Sequence, residues 1–312
     1  MRWKRRQALA ALAATPWIVR AAQPPRVAVM ASSGEAAFGS RAAALRRALP
    51  GVRLEFHYAD GRMDRLADVA RAVVATKPAA IVASSALATR ALRQATSEIP
   101  IVMANADEPV ADRFVASAER PGGNVTGLFT GRRDDLVEAA RMLAAVVPGE
   151  APLALLANQF NINYRPARAR LNYAAQQAKR PVEFLDASTA ADIDRAFEGL
   201  AGHRVAGVVV MDDPLYLDER ERLVRAAAHA KVPAIYADRA FVRAGGLMAY
   251  GGDSDADMAR TAAFVKKILA GAKPAHLPLE KAGKPRLSIN DATAKALGVH
   301  IPPALRKSAR AA

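Results

Sequence analysis

Small hydroxyl, amide and carboxylate side chains recur in this sequence at one kind of place, directly after a short apolar run. Ser32-Ser33 follows 27–31, Ser84-Ser85 follows 79–83, and Asn105 with Asp107-Glu108 follows 101–104; later, Asn158 follows 153–157 and Asp213 follows 207–211. Hydroxyls beside the free N–H groups of a helix start suit a carboxylate. Asp107, Glu108 and Asp213 suit an ammonium group, with Tyr164 and Tyr216 close by as aromatic surfaces. The same residue types also make ordinary caps and turns, Asp and Pro especially. Repetition of the arrangement in both halves of the chain favours binding over capping.

The elements that must position these groups follow from pattern. Short apolar runs rich in Val, Ile, Leu and Ala read as strands covered on both faces. Between them lie helical patterns, such as 64–76 with Leu66, Val69, Ala70 and Val73 on one face. A strand's carboxyl end leading into a helix aims backbone donors at whatever sits above the sheet. Two such strand–helix series flank Pro121-Gly122-Gly123-Asn124-Val125-Thr126-Gly127, which is expected to be the first crossing between two lobes. Gly245-Gly246 with 247–250 is expected to be a second crossing, before a long helix ending at Leu269. The predicted fold is α/β, with two doubly wound parallel sheets and a cleft between them.

At 312 residues the chain exceeds one ordinary core. Arg2, Lys4, Arg5 and Arg6 precede an apolar run over 8–19, so residues 1–21 are expected to be a secretory signal peptide, with a membrane anchor as the alternative. Without its five basic residues the formal charge falls from +15 to +10. What remains is scattered; Arg41, Arg46 and Arg47 read as a solvated helix face, and no nucleic-acid footprint emerges. There are no cysteines, and the five histidines lack metal-ligand spacing. Gly34 to Gly39 has P-loop spacing, but Ser40-Arg41 stands where Lys-Ser/Thr is required. No nucleophile elbow and no convincing histidine–acid pair points to catalysis.

In order and spacing, the phrases Arg120-Pro121-Gly122-Gly123-Asn124-Val125-Thr126-Gly127, Val232-Pro233-Ala234-Ile235-Tyr236, Ala244-Gly245-Gly246-Leu247-Met248-Ala249-Tyr250-Gly251, Ile268-Leu269-Ala270-Gly271-Ala272-Lys273-Pro274 and Ile289-Asn290 with Ala294-Lys295-Ala296-Leu297-Gly298 are similar to those of ABC transporter substrate-binding proteins. The chain resembles the subgroup of the periplasmic-binding-protein type I fold that includes tryptophan- and phenylalanine-binding members. That resemblance implies three crossover strands, with 24–123 plus 251–274 in an N-terminal lobe, 124–250 plus 275–305 in a C-terminal lobe, and 306–312 as a basic tail. It also implies pocket-lining loops at Ser32-Ser33, Ser84-Ser85, Asn105 to Glu108, Asn158, Asp213, and Asp238 to Phe241. The usual Gly-Asp-Pro and Asn-Pro appear as Asp107-Glu108-Pro109 and Asn158-Gln159, so the ligand is expected to differ from that of known relatives. The expected function is capture of a small polar solute, an amino acid or related compound, in the periplasm and its delivery to an inner-membrane permease. The protein is expected to act as a monomer without cofactor, metal or nucleic acid. Two rival readings are a sensor subunit for a membrane receptor and an acid–base enzyme using Asp107 and Asp213.

Overall fold

The computed structural model describes residues 23–131, 134–200 and 205–310. The expected leader, the start of the predicted helix 133–146, His203 and the last two residues lie outside the described residues.

The first sheet contains β1 (Arg26–Ala31), β2 (Arg53–Tyr58), β3 (Ala80–Ala83), β4 (Ile101–Met103), β5 (Val125–Phe129) and, much later in the chain, β11 (Glu280–Lys281). The second contains β6 (Leu153–Ala157), β7 (Val182–Asp186), β8 (Gly207–Val210), β9 (Ala234–Tyr236), β10 (Met248–Gly251), β12 (Arg286–Ile289) and β13 (Ala309–Arg310). Their orders are β11-β5-β4-β3-β1-β2 and β13-β12-β10-β9-β8-β6-β7. Every pairing is parallel except β10 with β12. Parallel strands require a crossover connection, here mostly a helix, which covers both faces of each sheet.

Each face has its own core. Along β1, Val27, Val29 and Ala31 point to one side and join Phe38, Ala42 and Leu45 of helix α1 (Glu35–Ala48). Ala28 and Met30 point to the other side, toward α2 (Leu66–Ala75) and α3 (Ala86–Ala95). In the second lobe α4 (Asp135–Val146) and α5 (Tyr164–Ala178) cover one face. The opposite face is covered by α6 (Ala190–Leu200), α7 (Pro214–Asp218), α8 (Arg220–His229) and α9 (Arg239–Arg243). Burial of one such Leu, Val or Phe side chain contributes about 1.5–3 kcal/mol.

The chain passes between the sheets three times: after β5, after β10 and after β11. Helix α10 (Ser254–Leu269) lies against α1 and strands β3 to β5, so it belongs to the first lobe. Two expected boundaries are corrected. The segment 121–127 is not itself the crossing, because β5 pairs with β4 through Ile101↔Val125 and Met103↔Gly127. Gly127, at φ 128°, serves that close approach, since a Cβ there would overlap the backbone of Met103. Likewise 275–281 stay with the first lobe, because β11 pairs with β5. The chain then returns to the second sheet as β12, followed by the short helices α11 (Asp291–Ala296) and α12 (Pro303–Ser308).

One predicted helix, 218–230, forms instead as α7 and α8. Asp213 caps the N-terminus of α7 and Pro214 occupies its first turn, where a missing N–H costs nothing. Asp218 thereby ends a short helix at the lobe boundary instead of starting a long one.

Candidate functional site

On the first lobe, Ser32 and Ser33 leave the end of β1 and are buried. The Ser32 N–H donates to Ser84 Oγ (3.0 Å), and the Ser32 and Ser85 hydroxyls share a 2.6 Å hydrogen bond. Ser85 also accepts from the Ala88 N–H at the start of α3. Two strand ends are thus tied into one hydroxyl-lined wall. Beside it, Asp107 accepts from the Thr130 hydroxyl, and the Thr130 N–H donates to Ala106 O (2.9 Å). That pair fixes the loop after β4 to the first crossing.

On the second lobe the organising group is Asp213, which is 2% exposed. Its carboxylate accepts from Asn161 Nδ2 (2.8 Å), Leu215 N (2.9 Å) and, at longer range, Asn158 Nδ2 (3.5 Å). Burial pushes its pKa up to about 6 despite these three donors. Asn161 also donates to Asp212 O (3.2 Å) and accepts from the Asn163 N–H (2.9 Å), which pins the 158–163 loop to the start of α7.

The two walls enclose adjoining cavities. One, about 120 Å³, is mainly polar and is lined by Ser32, Ser33, Ser84, Ser85, Asn105 and Asp107 from the first lobe and Asn161, Asn163, Asp213 and Asp238 from the second. The other, about 350 Å³, adds Glu108, Leu136, Ala139, Arg170, Met211 and Tyr250, and its lining is balanced between polar and apolar surface. Asn105, Asp107, Thr130, Ile162, Asn163 and Asp212 border both. A site of this kind holds a small molecule by a few directed hydrogen bonds at one end and shape at the other.

Four expected site residues face elsewhere. Tyr216 lies in the second lobe's core, where its hydroxyl donates to Ala187 O (2.8 Å) and burial raises the phenol above its ordinary range. Phe241 stacks on Tyr236, with ring centroids 4.5 Å apart, in the same core. The Tyr164 hydroxyl donates to Asp186 (2.6 Å) and accepts from Arg168 (2.7 Å), which turns the ring toward β7. Asn158 is 1% exposed and supports its own loop, accepting from the Phe160 N–H and donating to Asp213. None of the four lines either cavity.

Sequence reasoning missed Arg41. Read as a solvated cation, it instead lines the polar cavity and reaches across the cleft to Asp238 (2.6 Å). Burial pushes the Asp238 carboxyl up, but Arg41, the Ala240 N–H and the Ser254 hydroxyl outweigh it and hold the pKa below the usual carboxylate range. Arg239 of α9 meets Asp253 and Asp255 at 3.2 and 3.3 Å, and Glu108 meets Arg170 at 3.5 Å. Each of these contacts joins the two lobes, which are therefore closed in this structure. Among these groups the sequence points to the carboxylates of Asp238 and Glu108 but not to their partners; Arg41 lies almost two hundred residues from Asp238 in sequence.

Closure is tight at one more place. Gly61, at φ 68°, lies so near α7 that a Cβ would come within 2.8 Å of Leu215 Cα and 2.9 Å of Asp218 Oδ2. Gly61→Val is therefore expected to hold the lobes apart. With the stabilising solute present, small-angle scattering should show a larger radius of gyration than for solute-bound wild type, together with a small loss of stability from the strained backbone.

The family profile described as ABC transporter substrate binding protein matches residues 49–312, and the chain belongs to that family. It is a substrate-binding protein for small solutes, not an enzyme, and such proteins work outside the cytoplasm. The tyrosine-binding protein of Clostridioides difficile is 24% identical over 246 residues, spanning 79% of this chain and 70% of that protein. A conserved domain protein of Vibrio cholerae superposes with a TM-score of 0.83 at 24% identity, covering 92% of this chain and 99% of its own. A domain from Streptococcus pneumoniae in complex with L-Trp superposes at 0.82 with 22% identity, covering 91% and 99%. At these identities the superpositions establish the shared fold.

Proposed function

We propose that the protein captures an amino acid or a close organic relative between its lobes, outside the inner membrane, and hands it unchanged to an ABC transporter permease. One observation carries this reading: polar groups from both lobes converge on a single cleft between them. Ser32, Ser84 and Ser85 with the start of α3 suit the solute's carboxylate; Asp107, Asp213 and the Asn161–Asn163 loop suit its ammonium group. The adjoining half-apolar chamber would take the remainder of the molecule. Tyrosine and tryptophan, the compounds named for the two relatives, have this layout of charged head and apolar body. The leader expected over 1–21 would fit periplasmic delivery, and a monomer suffices, since each chain contributes both halves of the site.

Solute binding adds stability by mass action, about 2.7 kcal/mol at one hundred times Kd. A thermal-shift screen of the protein lacking residues 1–21, run against the common amino acids and small organic acids and amines, should give one related group of compounds that raises the melting temperature by several degrees. No shift with any member of the panel, where sugars tested alongside do produce one, would refute the assignment of the solute.

A further inference from the structure

We propose that Asp218 is a proton-sensitive latch on lobe closure, because closing the cleft presses its carboxylate against Gly34 and toward a second carboxylate, Asp60, on the opposite lobe. Asp218 belongs to the second lobe, at the end of α7, yet both of its oxygens lie 2.9 Å from the Gly34 N–H at the start of α1. Asp60 Oδ1 and Asp218 Oδ1 stand 3.2 and 3.5 Å from the point a Gly34 Cβ would occupy, so they are at most about 7 Å apart. Asp218 lines neither cavity, so the latch acts outside the solute site.

The surrounding charges leave the pair only partly compensated. Arg65 is engaged by Asp60 Oδ2, while Oδ1 faces Gly34. Glu35 opens α1 next to Gly34 and is exposed. On the Asp218 side, Glu219 adds negative charge, and Arg220 is shared with Glu221 (3.7 Å) and Leu217 O (3.2 Å). Burial at the closed interface, reinforced by Asp60 and Glu219, raises Asp218 to about 6 against the Gly34 hydrogen bond and Arg220. With the lobes apart the group returns to water and to its ordinary range near pH 4.

The sign follows by linkage. The closed form has the higher pKa and so binds the proton more tightly; acid favours closure, and that advantage is lost as pH rises through about 6. Between pH 7.5 and 5 the closed-to-open ratio should increase about tenfold. Solute capture would then be coupled to proton uptake.

The test needs no solute. The natural sequence has no cysteine, so spin labels can be placed at Arg47→Cys on α1 and Gln177→Cys on α5, both exposed and one on each lobe. Pulsed electron resonance then gives the two inter-lobe distance populations at pH 7.5 and 5. The expected result is the tenfold rise, with Asp218→Asn mostly closed already at pH 7.5 and changing less than twofold, because an amide still accepts from Gly34 without charge. Asp60→Asn should reduce the response. An unchanged ratio in the wild-type background, a fall on acidification, or an undiminished response in Asp218→Asn would overturn the proposal.

Discussion

Asp213→Ala should abolish solute binding and lower the stability of the second lobe by about 2–4 kcal/mol. The size follows from what the substitution strands. Asn161 Nδ2 and the Leu215 N–H each lose a buried acceptor, Asn158 loses a weaker one, and α7 loses its cap. A buried donor without a partner costs about 1–3 kcal/mol, and a lost cap about 1 kcal/mol. Partial relaxation of the loop brings the total down. Since the 158–163 loop supplies Asn161, Ile162 and Asn163 to the cleft, its release removes one wall of the site. Chemical denaturation should show the lower midpoint, and calorimetric titration should show no heat with the compound that stabilises the wild type. Asp213→Asn, which keeps a carbonyl for Leu215 N, should retain most of the stability.

The second large effect is expected at Arg41→Ala. Arg41 and Asp238 side chains are 17% and 14% exposed, and removing one member of a buried pair leaves the other charged without its main partner. Here the cost falls almost entirely on the closed form, because opening separates α1 from the end of β9 and lets Asp238 reach water. A penalty of about 2–4 kcal/mol on closure weakens apparent affinity by roughly thirty- to several-hundred-fold. Thermal stability without solute should change far less. The split between a large affinity loss and a small stability loss distinguishes a lobe-bridging residue from one that merely holds a lobe together.

These two residues also show what could be read before the structure. The strands of both lobes were legible because each is buried on both faces and so is apolar without alternation; 153–157 was placed to the residue. A helix start was legible where Ser caps it, as at Ser85, whereas the short helix capped by Asp213 was read as a loop before a helix starting at 218. The wall-forming serines followed from the same logic. Rotation and lobe contact were not legible. Tyr216 and Phe241 follow strand ends as a ligand-stacking aromatic would, yet helical twist turns both rings into the core. Arg41 sits on a helix face rich in arginine and small residues, a pattern identical to solvated surface until a second lobe closes over it. The crossing was misplaced because glycine serves both hinges and close strand contacts; at Gly127 the neighbouring Met103 backbone decides for contact.

The lobes are held closed by matched groups from each side, and that complementarity explains how a solute could be enclosed without any bond being made or broken. The most direct measurement is small-angle X-ray scattering of the full protein without residues 1–21, with and without the compound that raises its melting temperature most. A contraction of the radius of gyration that saturates at one equivalent, with the compound recovered unchanged, is the result this account predicts. One equivalent bound with no change in dimensions would contradict it, for the solute would then sit on a single lobe and not in the cleft.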